Sequence, residues 1–337
     1  MKLLSHLNSS DRDQLSALNN NELPIQFLPE FANFYQDFYQ VQLNIVFSER
    51  LEAYIPFRIQ KAKTFRLGQI LHAPVDSNTF KELSSKDQLI FFNAFIRYLK
   101  ENNLCERLIQ PHPYGILGAL PPSAQSCEFG TYITDLANQT VEEIFNNFNP
   151  KYQKAIHHSE KHGAVVRSGW ELFDDFYETY HATMQRVHLA ADSRNYFQKL
   201  YEHLGEKHVT IGVVYDDGKP IGSVFFIHTN YAGYCTHAGS QGESKLYGAV
   251  KLLHYEMMKL LKEKSVKRYD LVGVRLKNKN PALEGIFRFK KGFGGELKTG
   301  YLWKKDINPV KAKLYDVLRN IKTNKELTKD IIDQENE

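Results

Sequence analysis

Cysteine is scarce in this sequence. Only Cys105, Cys127 and Cys235 occur among its 337 residues, and no two of them are close in sequence. An odd and dispersed set of cysteines is typical neither of a disulfide framework nor of a zinc site. We therefore expect free thiols and a location in the reducing cytoplasm.

Long apolar runs are also missing. No stretch approaches the roughly twenty apolar residues that cross a bilayer. Residues 1–18 combine a single lysine with a mostly polar composition, which is not the pattern of a signal peptide. Aromatic residues are abundant, with 22 Phe and 19 Tyr, so the chain has ample material for a buried core. The sequence predicts a cytoplasmic protein whose contact with a membrane would be peripheral at most.

Several catalytic signatures are absent. The sequence has no Gly-x-Ser-x-Gly elbow, no P-loop, no dinucleotide fingerprint and no kinase signature. His158 and His162 have the i,i+4 spacing that zinc ligands use on a helix, but no third ligand stands out and lysines surround them. We therefore expect a solvated helix face there, no bound metal, and no mechanism through a protein nucleophile.

What the sequence does contain is a strongly basic segment. Residues 264–313 hold fourteen Lys or Arg against four Asp or Glu, a local charge of +10. The whole chain carries +4, so the remainder sums to −6. Such clustering of cations on an otherwise mildly acidic chain predicts a polyanionic ligand.

The densest part of this segment is Arg288–Gly295, which reads RFKKGFGG. Its cationic side chains could bind an anion. Its three glycines permit positive φ or a close approach of the backbone to a ligand. The alternative interpretation is an ordinary basic turn without a ligand.

Apolar periodicity predicts alternating strands and helices. The first part of the chain reads as strands, a helix at 84–100, a strand, a proline-rich loop and a strand. The second part reads as two helices, a hairpin with its turn at 216–220, a strand, a helix at 247–264, a strand, a basic loop and a last strand. This order resembles the GNAT fold of N-acyltransferases.

We therefore predict an α/β (α+β) protein of two GNAT-like domains, each a mixed and mostly antiparallel sheet flanked by helices. The predicted first domain covers residues 1–145, and the second covers residues 146–325 and includes the basic FKKGFGG loop. Residues 326–337 form a charged tail, which we expect to fray.

Four stretches carry a more specific resemblance: Thr131–Leu136, Lys154–Val165, Tyr269–Val274 and Gly285–Gly295. Together they resemble the Fem family of peptidoglycan-bridge aminoacyltransferases. The last two are similar to that family's Tyr-Asp-Phe-Gly-Gly pattern and to its phenylalanine–lysine pair before Gly-Phe-Gly. Two departures stand out: Leu271-Val272 replaces Phe-Gly, and Lys151 stands where many relatives have an arginine that could bind phosphate through two hydrogen bonds.

The resemblance implies transfer of an aminoacyl group from aminoacyl-tRNA to an amine on a cell-envelope precursor such as a peptidoglycan peptide. The tRNA would be a co-substrate, and no other cofactor and no binding of DNA are expected. The acceptor would be an anionic nucleotide- or lipid-linked glycan or peptide. Lys290 matches the family's lysine and would stabilise the ester carbonyl or its tetrahedral oxyanion. Phe289 and Phe293 would wall the site against water. Asp270 could act as a base toward the reactive amine, or only cap the following loop.

Further substrate-binding candidates follow from residue type and position. Arg194 could clamp a phosphate or simply open a helix, and the nearby Tyr196 fits a Tyr-Phe pair of the family. Tyr234 and His237 lie on opposite faces of one predicted strand, and either face could line a cleft or the core. The other candidates belong to the basic motif: Arg288, Lys291 and Gly294.

Two other functions stay open. GNAT acetyltransferases hold the pyrophosphate of acyl-CoA on a Gln/Arg-x-x-Gly-x-Gly/Ala turn, where this chain reads Lys245–Val250. Only Gly248 fits, and the β-branched Val250 would obstruct the pyrophosphate, so acyl-CoA-dependent acylation of an amino sugar or peptide is the runner-up. The third hypothesis is an RNA- or nucleotide-glycan-binding module without activity.

Overall fold

The computed structural model of the chain describes residues 1–5, 11, 15, 18, 21–242, 246–277, 281–322 and 329–336. Their strands are β1 (Lys2–Ser5), β2 (Leu43–Ser48), β3 (Ala53–Ala62), β4 (Phe65–Ile70), β5 (Val75–Asp76), β6 (Arg107–Ile109), β7 (Gln125–Asp135), β8 (Val165–Ser168), β9 (Val209–Asp216), β10 (Lys219–His228), β11 (Gly233–Ser240), β12 (Arg268–Asp270), β13 (Val274–Arg275) and β14 (Glu296–Asp306). Their α-helices are α1 (Pro29–Tyr39), α2 (Ser85–Glu101), α3 (Val141–Asn146), α4 (Pro150–Lys161), α5 (Phe173–Arg186), α6 (Arg194–His208), α7 (Ala249–Glu263), α8 (Pro281–Lys291), α9 (Pro309–Lys322) and α10 (Ile331–Glu335). Within these ranges, every helix is too short or too polar to cross a bilayer.

The strands join in one sheet in the order β1-β2-β3-β4-β6-β14-β7-β12-β11-β10-β9-β8, with β5 on β3 and β13 on β7. The strand pairs are antiparallel except for β4–β6 and β11–β12. Each parallel pair is joined by a crossover that contains a helix, α2 in the first half and α7 in the second, since parallel neighbours need a long connection. This mixed, mostly antiparallel sheet flanked by helices confirms the predicted fold class.

The C-terminal strand β14 links the two halves of the sheet. Its residues 305–306 pair with β6, and its residues 296–304 pair with β7. Strand β7 in turn pairs with β12, so residues 125–135 lie among strands that come later in the sequence. The proposed domain boundary at residue 145 stays a prediction.

Neighbouring residues of β10 anchor the cores on the two faces of the second half. The Phe225 ring packs against Phe176 of α5 and Phe197 of α6, at 5.3 and 5.1 Å between ring centroids. Phe226 belongs to the other core, where its ring lies 5.0 Å from that of Tyr269 and helix α7 supplies the cover. Alternation of side chains along a strand thus lets β10 serve both layers.

A hairpin turn and a helix cap that the sequence predicted are both present in the structure. Asp217 and Gly218 take φ values of 47° and 73° in the β9–β10 hairpin turn, because positive φ at both positions suits the twist of the strands. Thr140 and Glu143 form the predicted capping box at the start of α3.

Two parts of the chain differ from expectation. The expected basic loop is mostly helix α8, which begins with a proline and is followed by Gly292, the usual punctuation of a helix. The apolar residues of α8 have helical spacing, but the many charged residues of this segment were interpreted as a loop. Residues 329–336 pack on the body instead of fraying: Ile332 is fully buried beside Leu302, and Lys304 Nζ lies 2.9 Å from Asp330 Oδ2.

Candidate active site

Lys290 is half-buried and bonded to the backbone rather than part of an exposed basic surface. It occupies the last turn of α8, and its Nζ donates hydrogen bonds to the carbonyl oxygens of Val272 and Gly273, the latter at 2.7 Å. Burial lowers the pKa of Lys290 to about 8, against the opposing effects of Cys235 and Asp270. An ammonium has three N–H donors, so among the described contacts one donor is left for a ligand.

The loop that Lys290 holds has a strained backbone. Val272 has a φ of 48° and Gly273 a φ of 63°, and positive φ is costly for a β-branched residue. Asp270 supports the loop, because its Oδ1 accepts from the Val272 N–H at 2.7 Å and from Thr131 Oγ1 at 2.5 Å. Burial raises the pKa of the Asp270 carboxyl. We call Thr131, Asp270, Val272, Gly273 and Lys290 the lysine clamp.

Tyr234 connects the lysine clamp to a second group of side chains. On β11 it pairs in parallel register with Asp270, and its ring lies 5.8 Å from that of Tyr114. Tyr234 is 2% exposed, and its hydroxyl has no hydrogen-bond partner among the described residues. Leaving a buried hydroxyl unpaired costs about 1–3 kcal/mol. A ligand that bonds this hydroxyl would recover that cost.

Polar aromatic side chains from the first half surround Tyr114. The His112 ring stacks on it at 5.0 Å, Tyr35 Oη lies 3.5 Å from His112 Nε2, and the Arg58 guanidinium lies 5.2 Å from the Tyr35 ring. Desolvation lowers the pKa of His112 to about 4 and raises that of Tyr114 well above its usual value. Both residues nevertheless stay partly exposed, which is typical of a concave surface. We call Tyr35, Arg58, His112 and Tyr114 the tyrosine recess.

Tyr196 and His237 lie next to the tyrosine recess. Their rings are 5.8 Å apart, and His237 Nε2 lies 3.1 Å from Asp192 Oδ2. Burial raises the pKa of Tyr196 well above its usual value, and the nearby Tyr39 and Tyr35 add to the increase. The fold therefore brings Tyr196, Tyr234 and His237 to one region.

Three other predicted ligands lie outside the clamp and the recess. Arg194 pairs with Asp174, and its guanidinium lies 4.5 Å from the Tyr177 ring, so it fastens the start of α6 to α5. Arg288 is exposed and paired with the acid one turn earlier in α8, and Lys291 is exposed. Phosphate binding by Arg194 and by these two cations stays a prediction.

Phe293 is a core residue, and Gly294 lets the backbone next to it lie close to another part of the chain. The Phe293 ring is fully buried, 5.3 Å from that of Tyr152 and 5.2 Å from the half-buried Phe289. Gly294 has a φ of 68°, and a Cβ at this position would lie 2.0 Å from the Asn147 carbonyl oxygen. The close backbone approach expected toward a ligand is here an approach to the protein's own chain.

The histidines considered as zinc ligands lie on α4 and at its end. The rings of His158 and His162 stack with 4.0 Å between centroids, and His162 Nδ1 lies 2.7 Å from the His158 carbonyl oxygen. The described part of the chain brings no group of three or more His, Cys, Asp or Glu together. Within the described ranges, these two histidines therefore belong to no three-ligand metal site.

The basic segment does not form one cationic surface. Seven of its cations lie within ion-pairing distance of a carboxylate, and six of these cations meet carboxylates from other parts of the chain. The seven are Lys267, Arg275, Lys277, Arg288, Lys298, Lys304 and Lys311. The fold thus neutralises much of the charge that is clustered in sequence, and a polyanion would meet separate cations.

Glu82 and Lys298, one of these pairs, border a cleft of about 800 Å³, which Gly294 also lines. Lys298 Nζ lies 2.6 Å from both carboxylate oxygens of Glu82, and Tyr231 donates to the same carboxylate at 3.1 Å. Burial opposes ionisation of Glu82, but Lys298 and His72 outweigh it and lower the pKa of Glu82 from 4.5 to about 2.

Glu82 is therefore expected to stabilise the protein at neutral pH. Its contribution is complete above about pH 4.5 and is lost as the pH falls toward 2, because the folded state then takes up the proton that the unfolded state already holds. A shift of this size corresponds to about 3 kcal/mol. Glu82→Gln should lower the free energy of unfolding by about that amount at pH 7, measured with urea. The parent and variant should converge below about pH 2, and a difference independent of pH would contradict the assignment.

The sequence patterns did not point to the tyrosine recess. Its Arg58 comes from strand β3, and its His112 and Tyr114 come from a segment that the sequence marks only as a proline-rich loop. The signal that was available is His-Pro-Tyr, polar aromatic side chains held by prolines.

Comparison with known families matches residues 147–291 to the acetyltransferase (GNAT) domain. The matched range begins after α3, ends with α8 and includes both Asp270 and Lys290. No curated protein matches the chain by sequence.

Solved structures share the architecture of the whole chain. The crystal structure of FemX covers 93% of this chain and 99% of its own, with a TM-score of 0.67 and 14% identity. The C-terminal domain of a putative lysylphosphatidylglycerol synthetase from Agrobacterium fabrum covers 92% and 96%, with a TM-score of 0.54 and 13% identity. A tandem GNAT protein from the clavulanic acid biosynthesis pathway covers 91% and 98%, with a TM-score of 0.51 and 9% identity. At these identities the likeness establishes the fold.

The domain match assigns residues 147–291 to an acyltransferase domain of the GNAT type, and the fold agrees with that assignment. The two halves of the chain are arranged as in tandem GNAT proteins, and the resemblance to the Fem family is confirmed at the level of the fold by the likeness to FemX.

Proposed function

We propose that the protein transfers an aminoacyl group from aminoacyl-tRNA to an amine of an anionic cell-envelope precursor, such as a peptidoglycan peptide, in the cytoplasm. The observation that carries the proposal is the half-buried ammonium of Lys290, held on the Val272 and Gly273 carbonyls near Asp270 with a donor left for a ligand. The Fem resemblance supplies the classes of donor and acceptor. A protein with the same fold is named for lysylphosphatidylglycerol, an aminoacylated lipid.

The proposed chemistry is direct aminolysis of an ester. The acceptor amine attacks the carbonyl carbon, a C–N bond forms, and the bond to the ribose oxygen breaks. Lys290 stabilises the negative charge that develops on the carbonyl oxygen, which is the step where a fixed cation helps most. The amine must lose a proton, and Asp270 could accept it through Oδ2, since burial raises the pKa of this carboxyl. The ribose oxygen leaves as a hydroxyl after taking up a proton.

The tyrosine recess is the proposed acceptor site. Arg58 offers a cation for an anionic group, and the hydroxyls of Tyr35 and Tyr114 offer donors in a desolvated setting, where hydrogen bonds are strong. Tyr234 lies between this recess and the lysine clamp. An acceptor held in the recess could therefore present its amine toward Lys290.

The start of α7 supports aminoacyl-tRNA over acyl-CoA. Gly248 has a φ of 103°, and a Cβ there would lie 2.2 Å from the Ala155 carbonyl oxygen. Ser159 Oγ donates to the Tyr247 carbonyl oxygen at 2.9 Å. The turn that would hold a pyrophosphate is thus packed against α4. Val250, expected to obstruct the pyrophosphate, instead lies against Gly222 of the sheet.

Assays with aminoacyl-tRNA and with acetyl-CoA distinguish aminoacyl transfer, acyl-CoA-dependent acylation and RNA binding without activity. Radiolabel from aminoacyl-tRNA should enter an amide on a nucleotide-linked peptidoglycan peptide, whereas acetyl-CoA should give neither transfer nor thermal stabilisation. Acetyl transfer together with stabilisation by acetyl-CoA would assign the runner-up function. Salt-sensitive RNA binding without turnover would assign the binding module.

A further inference from the structure

Helix α9 is attached to the body through one face, which combines a small, an aromatic and an acidic side chain. Ala312 is 1% exposed, and the Tyr315 ring lies 5.4 Å from that of Phe65. Both carboxylate oxygens of Asp316 accept from the Arg107 guanidinium, at 2.6 and 2.8 Å. These three residues have the i, i+3, i+4 spacing of one helix face, so that face is fixed.

The opposite side of α9 exposes large apolar side chains. Val310 is 78% exposed, Leu314 52%, Val317 57% and Leu318 47%. Their i, i+4, i+7, i+8 spacing forms a single stripe, the pattern that a surface helix normally buries against its own core. We call these four residues the α9 stripe. Among the described residues, the body of the protein covers the face with Ala312, Tyr315 and Asp316 and leaves the larger aliphatic side chains of the α9 stripe uncovered.

The charges beside the α9 stripe indicate the chemistry of its partner. The sequence of α9 contains four Lys or Arg and one acid, Asp316, which Arg107 neutralises. At about 100° per residue, Lys313 and Lys311 fall on the two edges of the stripe, although Lys311 also lies 3.5 Å from Glu106. Lysines that flank an apolar face are typical of helices in the headgroup region of an anionic bilayer. A second copy of the chain would bring like charges together, which opposes self-association.

We propose that the α9 stripe docks the protein on an anionic lipid surface, with α9 lying parallel to the bilayer. The four apolar side chains would enter the boundary between headgroups and acyl chains, and the flanking lysines would contact the headgroups. This inference goes beyond the proposed function and does not depend on it. Docking of this kind would bring the protein to the surface that carries lipid-linked molecules.

Flotation of the full chain with lipid vesicles tests the proposal. The parent should float with phosphatidylcholine vesicles that contain roughly 30% phosphatidylglycerol and stay behind with phosphatidylcholine alone. Leu314→Gln/Val317→Gln should lower the partition coefficient at least about tenfold, because two apolar anchors are lost. Val165→Gln/Val187→Gln is the matched control: it removes two valines that are 49% and 48% exposed elsewhere, and it should float like the parent.

Three results would overturn the proposal. They are equal flotation of the parent and the stripe variant, equal binding to neutral and anionic vesicles, and a parent dimer that the stripe variant converts to a monomer in light scattering. The last result would assign the stripe to a second copy. Lys290→Met should lose transfer and still float, whereas the stripe variant should keep transfer to a water-soluble acceptor. Failure of docking and failure of the proposed function are therefore distinguishable.

Discussion

Lys290→Met is expected to lower kcat for aminoacyl transfer by about 10²–10³-fold, the loss that follows removal of one preorganised oxyanion donor. Methionine keeps much of the length of the side chain but has no charge and no N–H group. The carbonyl oxygens of Val272 and Gly273 would lose their donor at the same time. Single-turnover transfer from labelled aminoacyl-tRNA at saturating acceptor measures the effect.

Lys100→Met is the matched control, because this lysine also lies in the last turn of a helix, α2, and is exposed. It should transfer at the parental rate. A purely structural role of Lys290 would lower the melting temperature of Lys290→Met but leave the rate of its folded fraction unchanged. That outcome would remove Lys290 from the chemistry.

Phe293→Ala is expected to lower the free energy of unfolding by about 3–5 kcal/mol, the usual cost of a buried Phe→Ala change. The Phe293 side chain has no exposed surface, and its ring packs 5.4 Å from that of Phe148 and 5.0 Å from that of His254. The cavity would lie where α4, α7 and α8 meet. Urea unfolding at neutral pH measures the change.

Phe289→Ala provides the comparison, since Phe289 is only half-buried and touches the same group of rings. It should cost clearly less than Phe293→Ala. The sequence interpretation of Phe293 as a wall against water makes the opposite prediction: nearly parental stability with faster hydrolysis of the bound ester. That result would return Phe293 to the wall of the site.

The parts of the fold that the sequence predicted are those with local causes. Apolar spacing predicted both ends of helices α2 and α7 to within two residues, and the acidic-glycine turn predicted the β9–β10 hairpin. Helix α8 was not predicted, because its interior Gly285 and the cations in its last turn are also typical of a loop. The burial of Ile332 was not predicted, because the apolar residues that surround it come from strands far away in sequence.

In the candidate site, too, local sequence patterns predicted single residues but not the contacts that tertiary structure gives them. The resemblance to a known motif pointed to Lys290, yet its partners, the carbonyls of a positive-φ loop, are set by tertiary structure. The tyrosine recess combines Tyr35 with His112, 77 residues apart, and so no local pattern defines it. Charge is equally nonlocal: Lys298 meets Glu82 across 216 residues, which a count over one segment cannot anticipate.

The most direct test of the central claim is the pH dependence of transfer by the parent relative to Lys290→Arg. Taking the ratio of the two rates cancels the titration of the acceptor amine. Arginine stays charged throughout, whereas burial places the pKa of Lys290 at about 8. The ratio should be constant below about pH 7 and fall toward tenfold per pH unit above about pH 8, as the ammonium loses its proton. A ratio that stays constant up to about pH 9.5 would contradict a catalytic cation at Lys290.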